Sequence, residues 1–168
     1  MKKLFFIFIL LSKISFAQNF APEIVKNFNN PKTLGAYSLN VWGFHIYDIS
    51  VIANDIKNYR NKFAICINYD KNFSKQELVE ASIDEILRIK RIDKKKAEIY
   101  EKYLNKIFVD VKKGDKKTAI IDRKGLQLYR NSVMIGFIED ADFALDFADI
   151  WLDEKAKYKK MRNKLLNL

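Results

Sequence analysis

Residues 62–90 read KFAICINYDKNFSKQELVEASIDEILRIK, and along them the spacing of the apolar residues changes. Phe63, Ile65 and Ile67 alternate in twos, the pattern of a strand. Beyond Asp70, the run Leu78, Val79, Ser82, Ile83, Ile86 and Leu87 repeats at helical spacing and gives one apolar side to lay on a sheet. The join carries its own signal. Ser74 as cap and Glu77 at the third helical position form a capping box, with Phe73 and Leu78 placed to staple the helix start. Ser74 therefore needs no catalytic role. A strand that turns into a one-sided helix predicts a sheet with helices against it.

Working outward, AYSLNVW (36–42) and FHIYDISVIA (44–53) read as two strands joined at Gly43, where a bend or bulge suits a residue without a side chain. NDIKNYRN (54–61) is a polar turn before the third strand. A second helix is predicted from Asp93, with Ala97, Tyr100, Leu104, Ile107 and Phe108 in a stripe. VKKGDKKTAIID, RKG, LQLYRN and SVMIGFIED then read as strand, tight turn, strand and strand. From Asp140 the pattern is helical again through Phe143, Phe147, Ile150 and Trp151, and a last basic helix is expected over about 155–166. Antiparallel strands with helices grouped in the middle and at the end predict an α+β fold, an antiparallel sheet covered by helices.

The amino end is of another kind. Lys2 and Lys3 precede the apolar run LFFIFILL, and Ser15 and Ala17 set small residues before Gln18. That is the layout of a secretory signal peptide over residues 1–17, cut near Ala17, with the mature protein periplasmic or secreted. A membrane span needs about 20 apolar residues, and Lys13 interrupts the stretch sooner. Residues 18–33, with Pro22, Pro31 and several asparagines, read as an N-terminal arm, and residues 34–168 as one domain. Losing Lys2, Lys3 and Lys13 with the leader lowers the formal charge from +10 to +7. The remaining lysines are scattered among acidic residues, so no nucleic-acid surface is expected. The clusters at 90–96 and 155–164 read as solvated helix faces. Cys66 is the sole cysteine, which excludes an intrachain disulfide, and within a strand it reads as a small hydrophobe.

Four stretches together resemble the chalcone isomerase family, in particular its exported bacterial chalcone isomerase-like branch. They are SLNVWGFHIYDISVIA, NFSKQELVEASIDEILRI, KKGDKKTAIIDRKGLQLYRN and MIGFIEDADFALDFADIWLDE, spread over about residues 34–155. The family's enzymes close a flavonoid ring with polar residues around a cleft between sheet and helices. An ungapped match sets their arginine at Ala36, their threonine at Asp48, their tyrosine at Phe73 and their asparagine at Glu80, so all four differ. Alanine cannot hold an oxyanion, and phenylalanine cannot hold a phenolate by hydrogen bonding. Where the exported branch has an arginine, this chain has Lys71, which keeps the charge without the bidentate fork. Where it has a glycine after the Trp-Leu pair, this chain has Asp153, which leaves the ending of that helix open.

The resemblance implies a non-catalytic protein with an apolar cleft for a fatty acid or similar small amphipathic ligand. Tyr47, Tyr69 and Lys71 are the candidates for its polar end, with Arg60 as an outlier. The alternative is an isomerase or lyase acting on a small molecule. His45, the sole histidine, reads as a surface or packed imidazole rather than a base. The run Asp140, Asp142, Asp146, Asp149 and Asp153 lacks the loop glycine and ligand spacing of a calcium hand, and Asp140 or Asp142 suits a helix cap. No cofactor or metal is expected. A further alternative makes the basic helix at 155–166, with Tyr158, Met161, Leu165 and Leu166, a contact for a membrane surface or a protein partner.

Overall fold

The computed structural model describes residues 19–168, so the expected leader over 1–17 lies outside the described residues. Six strands form one antiparallel sheet in the order in which they occur in the chain. They are β1 (Lys32–Val41), β2 (Phe44–Ala53), β3 (Lys62–Tyr69), β4 (Lys116–Asp122), β5 (Gly125–Arg130) and β6 (Val133–Ile138). The helices are α1 (Pro22–Asn27), α2 (Lys75–Lys90), α3 (Lys94–Ile107), α4 (Ala141–Leu152) and α5 (Lys159–Leu166). The expected α+β architecture is what the chain adopts.

Alternation along each strand decides which residues face the helices. Ile49 and Val51 of β2, Ile65 and Ile67 of β3, Ala119 and Ile121 of β4, and Leu126 and Leu128 of β5 form one buried wall. Val79 and Ile86 of α2, Phe143 and Phe147 of α4, and Met161 and Leu165 of α5 close over it. Part of the opposite face is covered by the arm, which folds into α1 and buries Ile24 and Phe28 against Ile52, Ala64, Ile120 and Tyr129. The arm is thus a packed element, and β1 begins at Lys32, inside its expected range.

The capping box forms as expected. Glu77 N donates to Ser74 Oγ at 3.2 Å, and Ser74 N donates to Glu77 Oε2 at 2.7 Å. One residue of the expected stripe is misplaced. Leu87 is exposed while Ile89 is buried, because Leu87 lies about 100° round the helix from Ile86, away from the sheet. Asp93 and Asp140 cap α3 and α4 through Lys96 N and Phe143 N. At Asp153 the chain leaves α4 in an extended conformation, φ −70° and ψ 152°, which needs no glycine. The turn that follows buries Ala156, so α5 starts at Lys159, later than expected.

The acidic run on α4 forms ion pairs with basic side chains. Asp149, almost wholly buried, accepts from Arg60 and, at 2.5 Å, from Lys90. Lys90 also lies 3.5 Å from both Asp146 and Asp153, and Lys96 3.6 Å from Asp146. The run ties α4 to the end of α2, the start of α3 and the turn before β3.

Two positions in the sheet give measurable expectations. Asp115, ahead of β4, accepts from Lys112 N, Asn131 Nδ2 and Arg130 Nη2 at 2.8–2.9 Å. Burial works to raise its pKa, but these donors prevail and hold it at about 2. Its folded value is below its unfolded one, so its stabilisation is present above about pH 4 and lost as pH falls through about 2. Urea melts of Asp115→Asn are expected to show a flatter acid limb than wild type. At Gly35 a Cβ would stand 2.0 Å from Lys164 O and 2.6 Å from Leu165 O, both backbone atoms of α5. Gly35→Ala must push α5 off β1, and a loss of about 1–3 kcal/mol in denaturant melts is expected.

Candidate functional site

Between the sheet and helices α2, α4 and α5 lies a cavity of about 600 Å³. Its walls are mostly apolar, with Leu39, Ile65, Ile67, Phe73, Phe108 and Phe147 among the residues that bound it. Pairing across strands explains the polar groups among them. Tyr47 of β2 stands opposite Tyr69 of β3 in register, so both phenols project toward the helices. Their rings meet edge to face at 6.1 Å, and Tyr69 meets Phe73 likewise at 5.9 Å. Tyr47 Oη accepts from Trp151 Nε1 at 3.2 Å.

Burial pushes the Tyr47 phenol up to about 12, and the Trp151 donor offsets this only in part. Burial raises Tyr69 as well, helped by the neighbouring Tyr47. Both hydroxyls therefore stay protonated near neutral pH and present donors, with no phenolate to act as a base.

The residue that the sequence reading missed is Lys117. It lines the cavity and is 4% exposed. Its Nζ lies 3.4 Å from Val109 O and 4.5 Å from the centroid of the Phe108 ring, and no carboxylate lies within 4 Å of it among the described residues. Burial first, and the charge of Arg130 second, lower its pKa to about 8 against the pull of Asp115 and Asp110. The signal was present in the strand. Counting back in twos from Ile121 through Ala119 sets Lys117 on the helix-facing side, but KKGDKK looks like solvated turn.

Of the three candidates for a polar end, the structure brings Tyr47 and Tyr69 together on the cavity wall. Lys71 is not with them. It stands exposed beyond the end of β3, its Nζ 5.2 Å from the centroid of the Phe44 ring. Arg60 is held by Asp149. His45 sits at the surface end of the first hairpin, 3.1 Å from Asp48 and 3.8 Å from Asp70. Among the four positions matched to the enzymes' polar residues, only Phe73 borders the cavity. Ala36 and Asp48 pair with Ser50 and Ser38 and point to the other sheet face, and Glu80 is exposed on α2 beside Gln76. Cys66 also points away from the cavity, and burial pushes its thiol up to about 11.

No curated protein matches this chain. Among solved structures, a fatty-acid binding protein of Arabidopsis thaliana superposes with a TM-score of 0.61 at 12% identity, over 83% of this chain and 88% of that one. A likeness at that identity speaks for the fold. The sequence itself matches the family described as chalcone isomerase-like over residues 42–167. That stretch runs from the tip of the first hairpin to the end of α5 and includes Tyr47, Tyr69, Lys117 and Trp151. The chain belongs to the chalcone isomerase-like family.

Proposed function

We propose that this protein is an exported, non-catalytic carrier of a fatty acid or a similar single-tailed amphipath, with the tail in the cavity and the carboxylate on Lys117. The observation that carries the reading is an ammonium group buried in an apolar chamber with no carboxylate within 4 Å of it among the described residues. Burying such a charge is costly unless it is paired, and an anionic guest supplies the partner. A chamber of about 600 Å³ falls in the range of small-molecule sites. Tyr69, on the strand next to Lys117, adds a protonated hydroxyl to the same wall. The similarity in fold to a plant fatty-acid binding protein supports this class of ligand.

A carrier without turnover agrees with the polar inventory. The two phenols are held protonated, and the positions matched to the enzymes' polar residues hold Ala36, Asp48, Phe73 and Glu80. Export follows from the leader-like residues 1–17, and sequencing the amino end of the exported protein tests the cut near Ala17.

Solvent extraction of the purified protein followed by mass spectrometry tests the ligand. A carboxylic amphipath should be recovered, and the delipidated protein should rebind it. An empty extract together with no rebinding would overturn the proposal.

A further inference from the structure

The tip of the first hairpin is unexplained by the fold. Val41 pairs with Phe44, which leaves Trp42 and Gly43 as a two-residue turn with φ of 49° and 83°. Turns of this kind favour asparagine or glycine, because a bulky side chain is strained in the left-handed region. Tryptophan here hides nothing: Trp42 is 95% exposed and Phe44 63% exposed.

We propose that this tip docks the protein on the interfacial layer of a phospholipid bilayer. Three observations converge. First, the tip combines an exposed indole, an exposed phenyl ring and the Lys71 ammonium above that ring. Tryptophan sits at the headgroup level of membranes, and lysine keeps its charge in water while its stem lies on apolar surface. Second, Lys71 is not held in an ion pair among the described residues. Asp70 is engaged by Lys113 at 3.0 Å and by His45, and Asp48 by Ser38 and His45, whereas Lys71 has no carboxylate within 4 Å among the described residues. The formal net charge of +7 that remains without Lys2, Lys3 and Lys13 draws the protein toward anionic headgroups. Third, the two strands of this hairpin run directly into the cavity wall, which Leu39, Val41, Ile46 and Tyr47 help to form. A docked tip sets that wall beside the lipid. The basic helix α5 offers no comparable surface, since Met161 and Leu165 are buried on the domain.

The use of such docking, loading from a membrane, rests on the carrier reading; the docking itself does not. The test is co-sedimentation of the mature protein, beginning at Gln18, with vesicles of equimolar phosphatidylcholine and phosphatidylglycerol. Wild type should sediment with them. Trp42→Gly and Phe44→Ser should each lower partitioning by about tenfold, while Trp42→Gly melts no lower than wild type because turn strain is relieved. Trp42→Phe should keep most of the binding and lose the quenching of tip fluorescence by brominated lipid chains. Equal partitioning of wild type and both tip variants, or no sedimentation at all, would overturn the proposal. So would a concentration-dependent self-association that the tip variants abolish without any vesicle binding, which would assign the tip to a second copy of the chain. Binding of a fluorescent fatty acid by the same variants separates the two ideas. Vesicle binding without fatty-acid binding sinks the carrier alone, and the reverse sinks the docking alone.

Discussion

Lys117→Met is expected to weaken fatty-acid binding about 100-fold while making the ligand-free protein more stable. Truncating one partner of a buried charge pair removes about 2–5 kcal/mol of binding, and 1.4 kcal/mol is tenfold. The gain in stability comes from the same burial. A lysine held at about 8 against an ordinary 10.5 disfavours the folded state by about 3 kcal/mol at neutral pH. Methionine, similar in length and free of charge, removes that penalty, which at this chain length raises the melting temperature by about 6–12 °C.

The pH dependence has a definite sign. Between about pH 8 and 10.5 the unfolded chain holds the proton that the folded chain has released, so wild-type stability rises with pH across that window. The variant should lack this slope. A bound carboxylate raises the lysine's pKa, so binding near pH 9 should take up a proton, seen calorimetrically as a dependence on the buffer's ionisation heat. Unchanged affinity in Lys117→Met would remove the anchor from the carrier reading.

Asp149→Ala is expected to be the most destabilising change outside the cavity. The carboxylate is 6% exposed and holds Arg60 and Lys90 together. Removing one partner of a buried ionic group costs about 3–5 kcal/mol because the remaining charges are left unmatched. Arg60 is partly solvated, and Asp146 and Asp153 remain near Lys90, so the lower end is expected, about 3 kcal/mol or a fall of about 6–12 °C in melting temperature. The affinity for ligand should stay within about threefold, since Asp149 does not border the cavity. A melt indistinguishable from wild type would show the ion pairs to be surface decoration.

The cap at Ser74 and Glu77 was legible because its two hydrogen bonds join residues three apart. The start of α3 near Asp93 and a cap at Asp140 or Asp142 were legible likewise from local spacing, and the order of strands and helices from the change of apolar period along the chain. Tyr47 and Tyr69 were found as strand residues, and their convergence follows from the register of β2 on β3. Lys117 was hidden because both faces of β4 are buried in the same stretch. Thr118 and Ile120 lie under the arm and Ala119 and Ile121 under the helices, so alternation gives the lysine's direction only once the strand is known to reach back into KKGDKK, which looks like solvated turn. Lys71 drew attention through family likeness, yet past the end of β3 its side chain is exposed and does not join the cavity lining. The partners of the acidic run lie far away in sequence, at Arg60 and Lys90, and no local pattern announces such pairs.

Each strand of the sheet bonds only to its neighbours along the chain, and this has a kinetic consequence. The hairpins β1–β2, β4–β5 and β5–β6 close over short loops and can zip early, whereas β3 must find β4 across the whole excursion that holds α2 and α3. The entropy of closing that long loop is met before its contacts form. The rate-limiting step of folding is therefore expected at the β3–β4 seam, where Ile65 meets Ala119, and mutations there should slow refolding more than equal losses of stability at the outer hairpins.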